Sequence, residues 1–410
     1  MLRLTKIALV AASLILAVAW PARAADAVTA DDAARFLAGL EPSADSPLMP
    51  LTKDPAWQRH ARFFDSAFSQ LDQHQLSRIR AWSEINLAAP RPTMFYMFSG
   101  PDFLYANAFY SKATTYVLSA LEPPGSVPDL SRMPRGGAAA ALNDVEQSLG
   151  SILNFSFFIT KQMKTDLKGD EVSGTLPILY VFLARSGKTI RSVTPVTLDN
   201  DGGMHLPGED AGKNPTHGVR ITFTGDDAIE KTLYYFSTDL SNSGVNASGF
   251  LKFCATLAPG NSLLKSASYL LHSSGFSTVR TFILANSATI IQDDSGIPLG
   301  YYSQKKWRFF PFGHYAGPIA KFPGKYQERY AELFQRAQPI DFGIGYRWRT
   351  YETNLLLSVR LNPDEPLTAA DTTSSVEPPA GKPQRPRAPR PPGLIGPQRG
   401  GGFFWFPWGR

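Results

Sequence analysis

Three segments of the chain share one shape: an apolar run that closes on small polar residues and then an acid. They are MFYMFSGPD, ending at Asp102; LYYFSTD, ending at Asp239; and TIIQDDSG, which carries Asp293 and Asp294. Open α/β sheets place ligand sites outside the carboxyl ends of their strands. If these runs are neighbouring strands, their acids converge at one sheet edge. Carboxylates gathered there can bind a divalent cation, or divide into acid and base through unequal pKa values. His314, in FGHYAG, would join them as general base or ligand if its strand is adjacent. The competing reading is local, because an Asp after a strand is also a favoured turn and helix-capping residue.

Other chemistry is weaker. The loop Asp199–His217 brings Asp199, His205, Glu209, Asp210 and His217 together, but lacks the spacing of a calcium-binding loop. Arg185-Ser186-Gly187-Lys188-Thr189 ends like a phosphate-binding loop, yet Phe182 stands where the leading Gly belongs. Ser262-x-x-Lys265 and Ser303-x-x-Lys306 match a serine–lysine pattern without the Lys-Thr-Gly that accompanies it. No G-x-S-x-G and no dinucleotide fingerprint occurs, and no nucleotide partner is expected. Cys254, the single cysteine, lies in a helical pattern and reads as a small buried hydrophobe. Tyr346 and Trp348 would share one strand face and Arg347 and Arg349 the other, a glycan-stacking or interface strip unless the rings pack on the core.

The elements that must position these residues follow from periodicity. Residues 25–92 read as helical, with Asp31-Asp32 capping Ala33–Leu40 and a long apolar-periodic helix over Trp57–Trp82. From Thr93 a strand–helix–strand order favours parallel pairing: Met94–Phe98, Phe103–Tyr110, Thr114–Leu121. Ala138–Lys164 is the longest helical candidate, and Leu176–Ala184 is ambiguous between helix and strand. Lys188–Leu198 is β-rich, and Val219–Thr224 with Lys231–Thr238 forms a hairpin. Ala247–Ala258, Leu263–His272, Ser277–Asn286 and Tyr326–Ala337 read as helices. Ala288–Gln292 and Trp307–Tyr315 read as strands, and Phe342–Arg349 with Leu355–Leu361 as a terminal hairpin. The fold class is mixed α/β: one domain over 93–362 around a central mixed sheet, with a helical N-terminal layer.

The ends differ in kind. Arg3 and Lys6 precede the apolar run Ile7–Trp20, and Ala22-Arg23-Ala24 has the small-x-small form of a cleavage site, so residues 1–24 read as a signal peptide. Residues 363–410 hold 11 of the 33 prolines and read as a disordered Pro/Arg/Gly-rich tail. Its Arg385, Arg387 and Arg390 lead to Phe403, Phe404, Trp405, Phe406 and Trp408, a set suited to a bilayer interface with anionic lipid, or to a partner's groove. The formal charge of +6 comes from these ends. Without Arg3, Lys6 and Arg23, 38 basic residues face 35 acidic ones, and over residues 25–381 the balance is 32 to 35, a net −3. The basic pI therefore argues for no nucleic-acid partner.

The strings FSGPD, LYYFSTDLS, LKSASYLLH, QDDSGIP and FGIGYRW resemble a family of exported bacterial proteins of uncharacterised function, over roughly residues 93–360. That resemblance implies no activity, cofactor or catalytic residue. The expectation is an exported protein of the bacterial periplasm or cell surface, a non-enzymatic binding or structural module whose tail meets a membrane surface or an envelope protein. The alternative is an envelope hydrolase or metal-dependent enzyme using the strand-end aspartates.

Overall fold

A computed structural model describes residues 27–87, 89–128, 130, 137–155 and 173–372. The expected signal peptide, residues 156–164 of the helix expected over 138–164, and the chain from 373 onward lie outside these residues.

The N-terminal helices are α1 (Ala30–Leu37), α2 (Pro55–Leu71) and α3 (Ser77–Asn86), the last two joined by a π-helical turn over Asp72–Leu76. The cap of α1 is not the expected acid pair. Thr29 accepts from the Asp32 amide, which frees Asp31 to accept from Ile190 N at 2.8 Å and Asp32 to hold Ser43. Helix α2 turns Trp57, His60, Phe64, Phe68 and Leu71 inward, near-helical spacing that gives one apolar stripe.

Then follow β1 (Thr93–Tyr96), α4 (Phe103–Phe109), β2 (Thr115–Ala120), α5 (Gly137–Phe155) and α6 (Leu176–Arg185). Next come β3 (Thr189–Leu198), β4 (Met204–His205), β5 (Thr216–Thr224), β6 (Glu230–Ser237), α7 (Asn242–Asn246) and α8 (Phe250–Thr256). The order closes with β7 (Gly260–Leu264), α9 (Ser277–Asn286), β8 (Ser287–Gln292), β9 (Trp307–Gly313), α10 (Glu328–Phe334), β10 (Asn354–Arg360) and α11 (Ala369–Thr372).

All ten strands form one sheet in the order β4-β3-β5-β6-β2-β1-β7-β8-β10-β9. The middle five, β6 to β8, are parallel, and the flanking strands are antiparallel. Successive side chains of a strand face opposite sides. Met94 and Tyr96 of β1 accordingly join the core with α1 to α6, and Phe95 joins a second core with α7 to α9. The result is helices on both faces of a mixed sheet.

The winding has a centre. From β1 the chain crosses by α4 to β2 on one side, and from β7 it crosses by α9 to β8 on the other. Right-handed crossovers in opposite directions put α4 and α9 on opposite faces. Between β1 and β7 lies the switch point where a crevice opens outside the carboxyl ends.

Two expectations are corrected. Leu263–His272 is not a helix; Gly260–Leu264 is a strand buried along its whole length, and such a strand has no alternation to betray it. Phe342–Arg349 is not a strand; Gly345 turns the chain at φ +59, one bridge joins Ile344 to Arg347, and β10 pairs with β8 and β9 instead.

The fold also runs past the boundary expected at 362. Asp364 pairs with Arg91 at 2.7 Å, Leu367 packs on the second core, and the buried Arg360 guanidinium donates to the Glu365 carbonyl. A chain ending at Ser374 should therefore melt like the full-length protein, whereas one ending at Asn362 should lose about 2–4 kcal/mol, because Arg360 loses a buried acceptor and Leu367 its contacts. Urea titration of the three chains checks this.

Candidate functional site

The loop leaving β1 reverses through two left-handed residues, Phe98 (φ +64) and Gly100 (φ +60), and delivers Asp102 to the start of α4. One carboxylate oxygen accepts from the Tyr105 amide at 3.2 Å, the capping role that the residue type also allowed. The other accepts from the Tyr96 hydroxyl at 2.9 Å and from Lys265 Nζ at 2.8 Å. Lys265 is the first residue after β7, on the far side of the crevice, and its ammonium lies 3.4 Å from the centre of the Tyr105 ring. Asp102 and Lys265 are only 1% and 2% exposed. Burial pushes the lysine below its ordinary pKa, and the Asp102 charge opposes that push.

The end of β8 supplies Asp293 and Asp294. Asp293 accepts from the Ser266 amide at 3.0 Å on one oxygen, and from the Ser295 amide and hydroxyl at 3.0 and 2.5 Å on the other. Asp294 accepts from the Tyr269 hydroxyl at 2.6 Å and from Asn354 Nδ2 at 3.0 Å, while its own amide donates to Asn354 Oδ1 at 2.7 Å. Both acids are buried. Burial and the Asp294 charge raise Asp293 to about 6; burial also raises Asp294, against its hydrogen bonds to Tyr269 and Asn354.

The segment after β7 turns through Ser266, Ser268 and Tyr269, all at φ between +52 and +57. Such conformations cost free energy for side-chain-bearing residues and persist where surrounding contacts enforce them. Here the enforcing contacts come from Tyr346, whose hydroxyl bonds to Ser268 Oγ at 2.5 Å and donates to the Ser266 carbonyl at 3.2 Å. Gly345 and Tyr346 thus lie against the carboxyl ends of β7 and β8. A Cβ at Gly345 would come within 1.9 Å of Asp293 Oδ2, so only glycine lets the segment close so tightly.

The sequence-derived candidates separate. Asp102, Asp293 and Asp294 do converge at the carboxyl edge, and the charges of Asp102 and Asp293 both act on Lys265. Asp239 does not join them. It ends β6, two strands from β1, stands at the surface, and accepts from the Ser241 amide and hydroxyl at 2.8 Å each, a local turn. His314 is exposed after β9, its amide bonded to the Thr353 carbonyl. Residues 385–408 lie outside the described chain. Lys265, Tyr269 and Asn354 were not expected. Lys265 appeared only within a serine–lysine spacing, and its presumed partner Ser262 instead bonds to Ser287 at 2.7 Å. Cys254 is buried, as its helical pattern suggested.

In the Asp199 loop, Asp199 spends one oxygen on the Asp201 and Gly203 amides and the other on His205 at 2.8 Å. Among the described residues no group of three or more His, Cys, Asp or Glu side chains is arranged to hold a metal ion. Two hollows open elsewhere. One, of about 540 Å³, is lined by five prolines with Leu206, His205 and His217, beside β3 and β5. The other, of about 600 Å³, lies between α2 and residues 343–350. The chain matches no protein-family model, no curated protein and no solved structure.

The carboxyl cluster has a pH signature. Asp293 titrates higher in the folded chain than in the unfolded one, so its contribution is complete below about pH 4 and is lost as the pH rises through about 6, amounting to about 2–3 kcal/mol. Asp293→Asn should flatten the stability profile across that window relative to the parent chain. Denaturation from pH 3.5 to 7.5 measures the difference.

Proposed function

We propose that this chain is an exported binding module of the bacterial cell envelope, attached by its basic aromatic tail. One observation carries the reading: the acids at the carboxyl edge are bonded to internal partners and buried, Asp293 directly against Gly345. Hydrolysis run by these aspartates needs one carboxyl that reaches substrate and another that reaches water. Asp102 is neutralised by Lys265, Asp294 is held by Tyr269 and Asn354, and Asp293 is held by three donors. None of these three acids lines either of the two hollows.

The tail supplies the attachment. From Lys382 onward it carries six basic residues and no acid, which favours an anionic surface, and its terminal Phe and Trp side chains favour the headgroup region. No helix among the described residues is long and apolar enough to cross a membrane.

A second reading, an envelope hydrolase, draws support from four side-chain-bearing residues held left-handed near these acids: Phe98, Ser266, Ser268 and Tyr269. Strain of that kind gathers at functional sites. It requires residues 343–348 to lift so that substrate meets Asp293.

Co-sedimentation with phosphatidylglycerol vesicles tests the attachment. The chain carrying residues 375–410 should pellet with the vesicles and be released by high salt, whereas the chain ending at Ser374 should stay in the supernatant. Equal partitioning of both chains would overturn the tether.

A further inference from the structure

The hollow between α2 and residues 343–350 differs in chemistry from the proline-lined one. Its wall carries Phe63, Gln70, His74, Gln75, Trp348 and Arg349, and among the described residues no acid lines it. Phe63 is 46% exposed, a large ring turned outward at the rim. Trp348 is half-buried, with the Arg349 guanidinium carbon 4.8 Å from its ring centre. Two amides, an imidazole and a guanidinium thus stand around two aromatic rings. Aromatic faces pack on apolar C–H surfaces, and the side chains beside them donate to and accept from hydroxyls. The volume, about 600 Å³, is that of an ordinary ligand site.

The wall is also built to hold its shape. His74 and Gln75 sit on the π-helical turn Asp72–Leu76, an arrangement that is rare in helices and frequent at functional sites. From that turn Gln75 Nε2 donates to the Gly343 carbonyl at 2.7 Å, tying the helical layer to the segment that carries Trp348. A Cβ at Gly343 would fall within 1.7 Å of the Trp348 carbonyl oxygen, so the segment can only fold back on itself through glycine. A pre-shaped wall saves the ordering cost that weakens binding.

We infer that this hollow is a subsite for a β-linked oligosaccharide, stacked on Trp348 and Phe63 and hydrogen-bonded by Gln70, His74 and Arg349. All-equatorial pyranoses offer flat C–H faces to the rings and a rim of hydroxyls to the polar side chains. An apolar peptide would instead want an anchor pocket free of amides and guanidinium, which suits the other hollow better. The inference rests on reading the domain as a binding module, and names what it binds.

Saturation-transfer NMR on the full-length protein tests it, with chitotetraose and cellotetraose each at about 1 mM, the range of weak single-site binding. Transfer to ring protons of at least one sugar is expected. Trp348→Ala should abolish it, and Phe63→Ala, at an exposed position that leaves folding intact, should weaken it about tenfold. No transfer to either sugar would overturn the inference, as would transfer that survives both substitutions, or transfer only to a capped Leu-Ala hexapeptide. Vesicle binding reads the tail alone, so a negative sugar result beside intact tail-dependent pelleting overturns the subsite and not the module.

Discussion

The architecture depends on the ion pair between Asp102 and Lys265. A parallel sheet wound outward from its centre leaves a crevice where the winding changes direction, the place where ligands of such sheets bind. Here the chain fills it. Asp102 arrives from β1 and Lys265 from β7, so the pair bridges the two strands from which the halves of the sheet are wound. Taking both charges out of water costs several kcal/mol. The Tyr96 hydroxyl, the Tyr105 amide and the Tyr105 ring repay part of that cost by giving each charge further partners.

The remaining features of this edge follow. Three buried carboxyls meet one buried lysine, with Arg347 contributing only from farther out. Burial first, and then the neighbouring Asp294 charge, disfavour the ionised form of Asp293, which is why it sits high. The loop after β7 turns left-handed because its amides must face Asp293 and Ser295, and Tyr346 holds it there. Gly345 is where the covering segment touches the acid. The three carboxylates thus find donors from several elements at once, which ties the sheet edge to the loops around it.

Much of this was legible in the sequence. The β1–α4–β2 unit, the β5–β6 hairpin and the convergence of Asp102 with Asp293 and Asp294 follow from periodicity and from the carboxyl-edge rule. β7 was hidden because burial on both faces erases the period of two. That loss also hid Lys265, since a residue read in the first turn of a helix gives no hint of a sheet edge. Asp239 followed the same run-then-acid pattern yet proved a turn residue, because its strand lies away from the switch point. Pattern locates the ends of strands; only strand order tells which ends meet.

The central claim is that the Asp102–Lys265 pair holds the switch point closed as one unit. A double-mutant cycle in urea at pH 7, with Lys265→Met, Asp102→Asn and the double variant, measures this directly. Each single change should cost about 3–5 kcal/mol by leaving a buried group without its partner. The double variant should cost less than their sum, with a coupling of about 2–3 kcal/mol. A coupling within about 0.5 kcal/mol of zero would contradict the account, because the two halves of the sheet would then not be joined through this pair.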